Sequence, residues 1–129
     1  MIDMLKVLNV FDKSTGENVK VKVYTTKHAF ERFQERSTAG SDEKIESAIT
    51  QAVDRIVNYY PHEDGEFVVN SKSAGVKIPM YSEVQGNEFK ITIPTALDYS
   101  YMHAKKEKGL PSLTFESISY MMFIEIEVD

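Results

Sequence analysis

The stretch that decides the fold is residues 41–70, SDEKIESAITQAVDRIVNYYPHEDGEFVVN. From Ile45 to Tyr60 the apolar side chains recur every three or four residues, which is the period of an amphipathic helix. Pro61 cannot continue that helix because it lacks a backbone N–H. After Pro61 the apolar period falls to two, which is typical of strands. The pattern therefore predicts a helix over 42–60, followed by a sheet.

Two strands are predicted ahead of this helix. Residues 19–24, VKVKVY, alternate valine with lysine or tyrosine, which indicates a half-buried strand with a lysine face towards water. Residues 4–11 are apolar without clean alternation, which favours a strand covered on both faces. The polar residues 12–18 between them have the composition of a turn, so we expect a hairpin.

A first helix is predicted over 27–37, with Thr25 or Thr26 as its cap. Helical geometry places Phe33 on one face, together with Ala29 and Phe30. The opposite face then carries four charged or titratable side chains: His28, Arg32, Glu35 and Arg36.

Further strands are expected at residues 76–81, 88–93 and 120–128, and the run 121–123 is expected in the core. Residues 95–108 fit either a helix closed by Gly109 or a mobile loop. The predicted fold is one α+β domain over 1–129, in which the two helices pack on one face of an antiparallel sheet that follows an N-terminal hairpin.

Composition excludes several classes of function. The sequence has no cysteine and no apolar run near the ~20 residues of a membrane helix, so we expect a cytoplasmic protein without disulfides or membrane contact. Its net charge is −5, and residues 37–129 hold eight basic and fifteen acidic side chains, which opposes general binding to duplex DNA. The histidines lack metal-ligand spacing and there is no nucleotide-binding motif, so neither metal nor cofactor is expected.

The remaining catalytic class is metal-free acid–base chemistry. RNA cleavage by the ribose 2′-hydroxyl needs a base and an acid that work near neutral pH, and cations that hold the phosphorane. His28, Arg32 and Arg36 stand at i, i+4 and i+8 on the first predicted helix, in the segment KHAFERFQERS that begins at Lys27. Histidine supplies the proton transfers, and arginine grips phosphate bidentately.

This run, followed by a second helix and by strands such as residues 65–69, GEFVV, and 90–93, KITI, resembles the RelE-like small ribonucleases. The similarity covers about residues 24–95 and is closest to the RegB-like phage endoribonucleases and the BrnT-type toxins. It implies a RelE-like fold and a metal-independent endoribonuclease that cleaves mRNA.

The resemblance also implies roles for individual residues. His28 becomes a catalytic acid or base and Arg32 a phosphate ligand, while Arg36 is a second cation or a structural ion-pair partner. His62 stands near the position of the second histidine that RegB-like enzymes use. Lys27 lies beside His28 and is a candidate RNA contact.

Residues outside this match offer a further RNA contact or a plain loop. Tyr101 can stack on a base of single-stranded RNA and Lys105 can attract its backbone, although a flexible, soluble loop is the simpler explanation of both residues. Arg32 and Arg36 beside Glu31 and Glu35 are also explained by a solvated helix face.

Three hypotheses follow. The first is the endoribonuclease. The second is a non-catalytic relative of that fold, with a phage as one potential source, that binds and modulates a protein partner. The third is an accessory protein of unrelated α+β fold in which the histidine–arginine pattern is coincidental.

Overall fold

The computed structural model describes residues 4–36, 41–60, 64–86, 88–98, 120 and 122–128. These residues form one sheet and two helices. The elements in chain order are β1 (Leu5–Asp12), β2 (Glu17–Thr25), α1 (Lys27–Arg36), α2 (Ser41–Tyr59), β3 (Gly65–Ser71), β4 (Val76–Gln85), β5 (Glu88–Ile93), β6 (Leu97–Asp98) and β7 (Ile124–Val128).

Both helices begin and end within one residue of their predicted bounds. Helix α2 carries Asp42 and Glu43 in its first turn, where the helix dipole favours negative charge. The predicted N-terminal hairpin is confirmed as well, since β1 and β2 pair antiparallel from Leu5–Tyr24 to Asp12–Glu17.

The sheet itself differs from the prediction. Its strand order is β1-β2-β5-β4-β3-β7, with β6 paired to β4 off this path. The pairs β2–β5 and β3–β7 are parallel, and the other pairs are antiparallel. The prediction of an α+β fold with two helices on an antiparallel sheet is therefore wrong. The described chain is mostly β, with seven strands in one curled mixed sheet and two helices.

The error has a physical reason. Alternation of apolar and polar residues specifies which face of a strand is buried, but it does not specify the neighbouring strand. Parallel pairing needs a long crossover connection, and the chain between β2 and β5 contains both helices and the β3–β4 hairpin. The prediction paired consecutive strands antiparallel, so it missed the crossover connections that lead to the parallel pairs β2–β5 and β3–β7.

The core lies between the helices and one face of the sheet. Helix α1 contributes Ala29 and Phe33, both completely buried. The remaining members come from α2, from alternate residues of the strands and from the segment after β5: Val10, Val21, Val23, Ile45, Ala48, Ile49, Ala52, Val53, Ile56, Val57, Phe67, Val69, Val76, Ile78, Met80, Phe89, Ile91, Ile93, Ala96, Ile126 and Val128.

The C-terminal strand is shorter than expected. It covers Ile124–Val128, whereas Tyr120 and Met122 lie in turns. Met122 is 94% exposed, so its expected place in the core is wrong. In the ambiguous stretch 95–108, Leu97 and Asp98 form β6, and residues 99–108 lie outside the described ranges. Within the described residues, neither helix has the length and apolar character needed to cross a membrane.

Candidate functional site

Helix α1 is held at its first turn by Thr26. The Thr26 Oγ1 atom accepts a hydrogen bond from Ala29 N–H at 3.1 Å and donates to the carbonyl of Pro94 at 2.9 Å. The Thr26 N–H donates to the carbonyl of Ile93 at 3.1 Å. One threonine thus caps the helix and ties it to the end of β5, which fixes where the first turn lies.

The predicted polar face of α1 is on the surface. Lys27 and His28 are exposed in the first turn, and Arg32 is half-buried one turn later. Arg32 Nη1 lies 3.4 Å from Glu35 Oε2, an i,i+3 pair on the helix surface. Such pairs contribute only a few tenths of a kcal/mol. Arg32 therefore pairs with a neighbouring acid, as expected if this face of α1 is simply a solvated helix face.

Four other predicted site residues cannot be placed beside His28. His62, Tyr101 and Lys105 lie outside the described residues, and for Arg36 only the helical backbone is described. Their roles stay predictions.

Two open depressions lie elsewhere on the surface. One of about 550 Å³ lies near the start of β3, and Tyr81 and Met122 line it together with Asp64, Glu66 and Glu83. Another of about 600 Å³ lies near the turns that precede β2 and β5, and its lining includes Asn18, Lys20 and Phe89. No residue of α1 lines either one. Among the described residues, no three histidine or acidic side chains are grouped as a metal site.

The most distinctive surface is one that the sequence pattern concealed. Strand β1 was expected to be covered on both faces, but Leu5 is 62% exposed, Val7 52% and Phe11 54%. These residues and Asn9 alternate with Leu8 and Val10, which belong to the core side. We call Leu5, Val7, Asn9 and Phe11 the edge patch. The expectation of a doubly covered strand is wrong.

The backbone of β1 is open along the same residues. In an antiparallel pair, residues alternate between those that bond across the pair and those whose N–H and C=O point away. The carbonyl of Met4 accepts from Thr25 N–H, so Lys6, Leu8 and Val10 bond to β2 in turn. The residues of the edge patch therefore point their backbone groups away from β2. Within the described residues β1 is the terminal strand of the sheet, and this edge has no partner strand.

Asn58 of α2 marks the end of the open edge. Its Nδ2 atom donates to the carbonyl of Phe11 at 3.0 Å, and its Oδ1 atom accepts from Lys13 N–H at 2.9 Å. The carbonyl of Phe11 points outwards, as the alternation requires. Among the described residues, the backbone groups without a partner thus run from Leu5 to Asn9 and end at the N–H of Phe11.

Lysines border the edge patch. Val7 lies opposite Lys22 and Asn9 lies opposite Lys20 in the β1–β2 register. Lys22 forms an exposed ion pair with Glu88 at 3.0 Å, whereas Lys20 has no ion-pair partner in the described ranges. Tyr24, opposite Leu5, is 38% exposed and extends the apolar surface.

A signal in the sequence could have located this patch. Once residues 4–11 and 19–24 are taken as a hairpin, the residues that face the lysines of the second strand must share their solvent-exposed face. In such a hairpin Leu5, Val7 and Phe11 are apolar side chains on the solvent-exposed face. An expectation that treats each strand by itself misses this consequence.

Comparison of the chain with protein families, with curated proteins and with solved structures found no match. The resemblance to RelE-like ribonucleases therefore remains a hypothesis that rests on the residues quoted for it.

Proposed function

We propose that this protein is a non-catalytic interaction module that binds a protein partner by accepting an extended segment of it along β1. Strand addition needs an unpaired sheet edge and side-chain contacts that favour one partner over others. The observation that carries the proposal is the coincidence of both on the edge patch: outward backbone groups and exposed apolar side chains on the same residues.

The two ends of the sheet differ in a way that supports this function. Proteins usually protect edge strands with charges, prolines or bulges, because a bare edge pairs with other chains. The other terminal strand, β7, carries the acids Glu125 and Glu127 among its five residues. Strand β1 is longer, with eight residues and no proline. Its charged residues, Lys6 and Asp12, lie on the core side, and its outer face has no charge. An apolar, open edge is the one suited to recognition.

The test uses a variant that closes the edge without disturbing the hairpin. Val7 N–H points away from β2, so Val7→Pro removes an outward donor and leaves the β1–β2 hydrogen bonds in place. Val7→Ser removes the apolar side chain and keeps the backbone donor. Met122→Ser is the matched control, because Met122 is an exposed apolar side chain far along the sheet, before β7.

Each variant, once its circular dichroism spectrum matches that of the wild type, serves as bait for partners in the same extract. A protein retained by the wild type and by Met122→Ser, but lost with Val7→Pro and weakened with Val7→Ser, supports strand addition. Equal retention by all four proteins overturns it.

The ribonuclease hypothesis stays a separate prediction, and cleavage of RNA is what tests it. A cytoplasmic location is part of this proposal, since a sequence without cysteine makes no use of an oxidising compartment.

A further inference from the structure

We infer that the occupant of the β1 edge is an acidic extended protein segment in which carboxylates alternate with apolar side chains. This inference rests on the proposed function and specifies its partner. It is carried by charge complementarity between the incoming segment and the lysines that surround the edge patch.

The hairpin that presents the edge is locally basic in an acidic protein. Between Leu5 and Thr25 it holds Lys6, Lys13, Lys20 and Lys22, and its acids are Asp12 and Glu17. Asp12 is buried, lies on the core side of β1 and accepts hydrogen bonds from Ser14, so its carboxylate is not on the face that the edge patch presents. Residues 37–129, by contrast, hold fifteen acids against eight basic side chains. The edge is therefore a basic site on a chain of net charge −5.

The geometry lets these lysines reach an added strand. Neighbouring strands lie about 4.8 Å apart, so a strand paired to β1 lies about 10 Å from β2. Lys20 and Lys22 project on the same face as the edge patch, opposite Asn9 and Val7. A lysine stem that lies across Val7 or Asn9 covers apolar surface and brings its ammonium group to the carboxylate of the new strand.

The pairing of Lys22 with Glu88 does not prevent this contact. The Lys22 side chain is 50% exposed and the Glu88 side chain is 63% exposed. Such a surface pair is weak and exchanges readily. Lys20 lacks an ion-pair partner in the described ranges and is available without any exchange. Its ammonium group is the expected first contact of the acidic segment.

The same charges disfavour two other occupants. A second copy that paired its own β1 here would bring two lysine-bordered hairpins together. Single-stranded RNA would be attracted to the lysines, but its backbone does not supply the alternating N–H and C=O groups that the open edge offers. An extended polypeptide with carboxylates satisfies both features of the site.

The experiment titrates the full-length, isotopically labelled protein with a capped synthetic peptide in which glutamate alternates with valine, matched in length to the eight residues of β1. Its twin carries lysine in place of every glutamate. We expect the glutamate peptide to shift the amide resonances of Leu5, Val7 and Asn9 with a dissociation constant below about 1 mM, which is the weak end of specific binding. The lysine twin should leave them unchanged.

Charge reversal tests the assignment of Lys20. Lys20→Glu should lower the affinity for the glutamate peptide by about two- to fivefold, which is what one exposed ion pair supplies. The matched control is Lys72→Glu, because Lys72 is an exposed lysine in the turn between β3 and β4. It should leave the affinity unchanged. Raising the salt concentration should weaken the wild-type complex by screening these contacts.

The inference is overturned if the two peptides bind equally or if neither binds. It is also overturned if the resonances of the edge patch shift with an oligouridylate, or through self-association of the protein, and not with the glutamate peptide. The fate of the proposed function is read separately. If the peptides fail while a cellular partner is still lost with Val7→Pro, the acidic specificity is wrong and strand addition stands. If that partner is also insensitive to Val7→Pro, both are wrong.

Discussion

The Nζ atom of Lys77 lies 2.7 Å from the Oδ1 atom of Asn70, and both side chains are buried. The amide of Asn70 in turn donates to Glu127 Oε1 at 2.7 Å and to Glu125 Oε1 at 3.4 Å. Lys77 and Asn70 are register partners on β4 and β3, and Glu127 is the register partner of Asn70 on β7. A buried lysine is thus joined through an amide to the acids of the terminal strand, which helps to hold β7 parallel to β3.

Lys77→Met should lower the free energy of unfolding by about 1–3 kcal/mol, because the buried carbonyl oxygen of Asn70 loses its charged donor. Methionine matches the lysine stem in size, so the loss reflects the polar contact more than a cavity. Lys72→Met is the control, since Lys72 is exposed in the adjacent turn. It should stay within about 0.5 kcal/mol of the wild type. Urea denaturation measures both, and a Lys77→Met protein as stable as the wild type would contradict a stabilising role.

The sequence predicted local structure well because local structure follows from period. The 3.6-residue pattern from Ile45 onwards and the alternation of residues 19–24 each specify a buried face, and both elements occur as expected. The sheet topology could not be predicted in this way. Nothing in residues 88–93 or 124–128 states that each runs parallel to a distant strand. Burial of Lys77 was equally hidden, because lysine is almost always exposed unless it is paired.

For the candidate surfaces, too, the sequence predicted what depends on local structure and missed what depends on the assembled sheet. The position of His28 and Arg32 on the surface side of α1 followed from the helical period, which places them opposite Ala29 and Phe33; His28 is exposed and Arg32 is half-buried. The open edge of β1 depends on the strand order and on the hydrogen-bonding alternation, both of which are properties of the assembled sheet. The pairing of residues 4–11 with the lysine strand could have indicated the exposed apolar side chains, but the unpaired backbone groups leave no side-chain motif in the sequence.

The cap of α1 gives a second stability prediction. Thr26→Val keeps the shape of the side chain and removes both the acceptor for Ala29 N–H and the donor to the Pro94 carbonyl. We expect a loss of about 1–2 kcal/mol in the free energy of unfolding, as for other N-cap threonines. Thr26→Ser keeps the hydroxyl and should retain most of the stability. A Thr26→Val protein as stable as the wild type would contradict the capping role.

Asn58 gives a third prediction, on the boundary of the open edge. Asn58→Ala removes the acceptor of Lys13 N–H and the donor to the Phe11 carbonyl. Because both backbone groups are near water, we expect a modest loss of about 0.5–1.5 kcal/mol in the free energy of unfolding. The amide of Lys13 should also exchange its hydrogen faster. Thr50→Ala, at an exposed position of the same helix, should leave this exchange rate unchanged. An unchanged exchange rate of the Lys13 amide in Asn58→Ala would show that the hydrogen bond from Lys13 N–H to Asn58 does not form in solution.

The last prediction belongs to the ribonuclease hypothesis and decides between it and the interaction module. Histidine and arginine chemistry needs no metal, so a ribonuclease built on His28 and Arg32 must cleave labelled mRNA in EDTA and leave a 2′,3′-cyclic phosphate. His28→Ala should then lower the cleavage rate at least about 10²-fold, the usual effect of losing one general acid or base. Arg32→Lys should lose nearly as much activity as Arg32→Ala, because lysine keeps the charge but not the planar fork. Glu35→Gln is the structural control, since it breaks the ion pair with Arg32 and leaves the guanidinium in place. Full cleavage by His28→Ala would remove His28 from the mechanism. No cleavage by the wild type would leave α1 as a solvated helix and the edge patch as the functional surface.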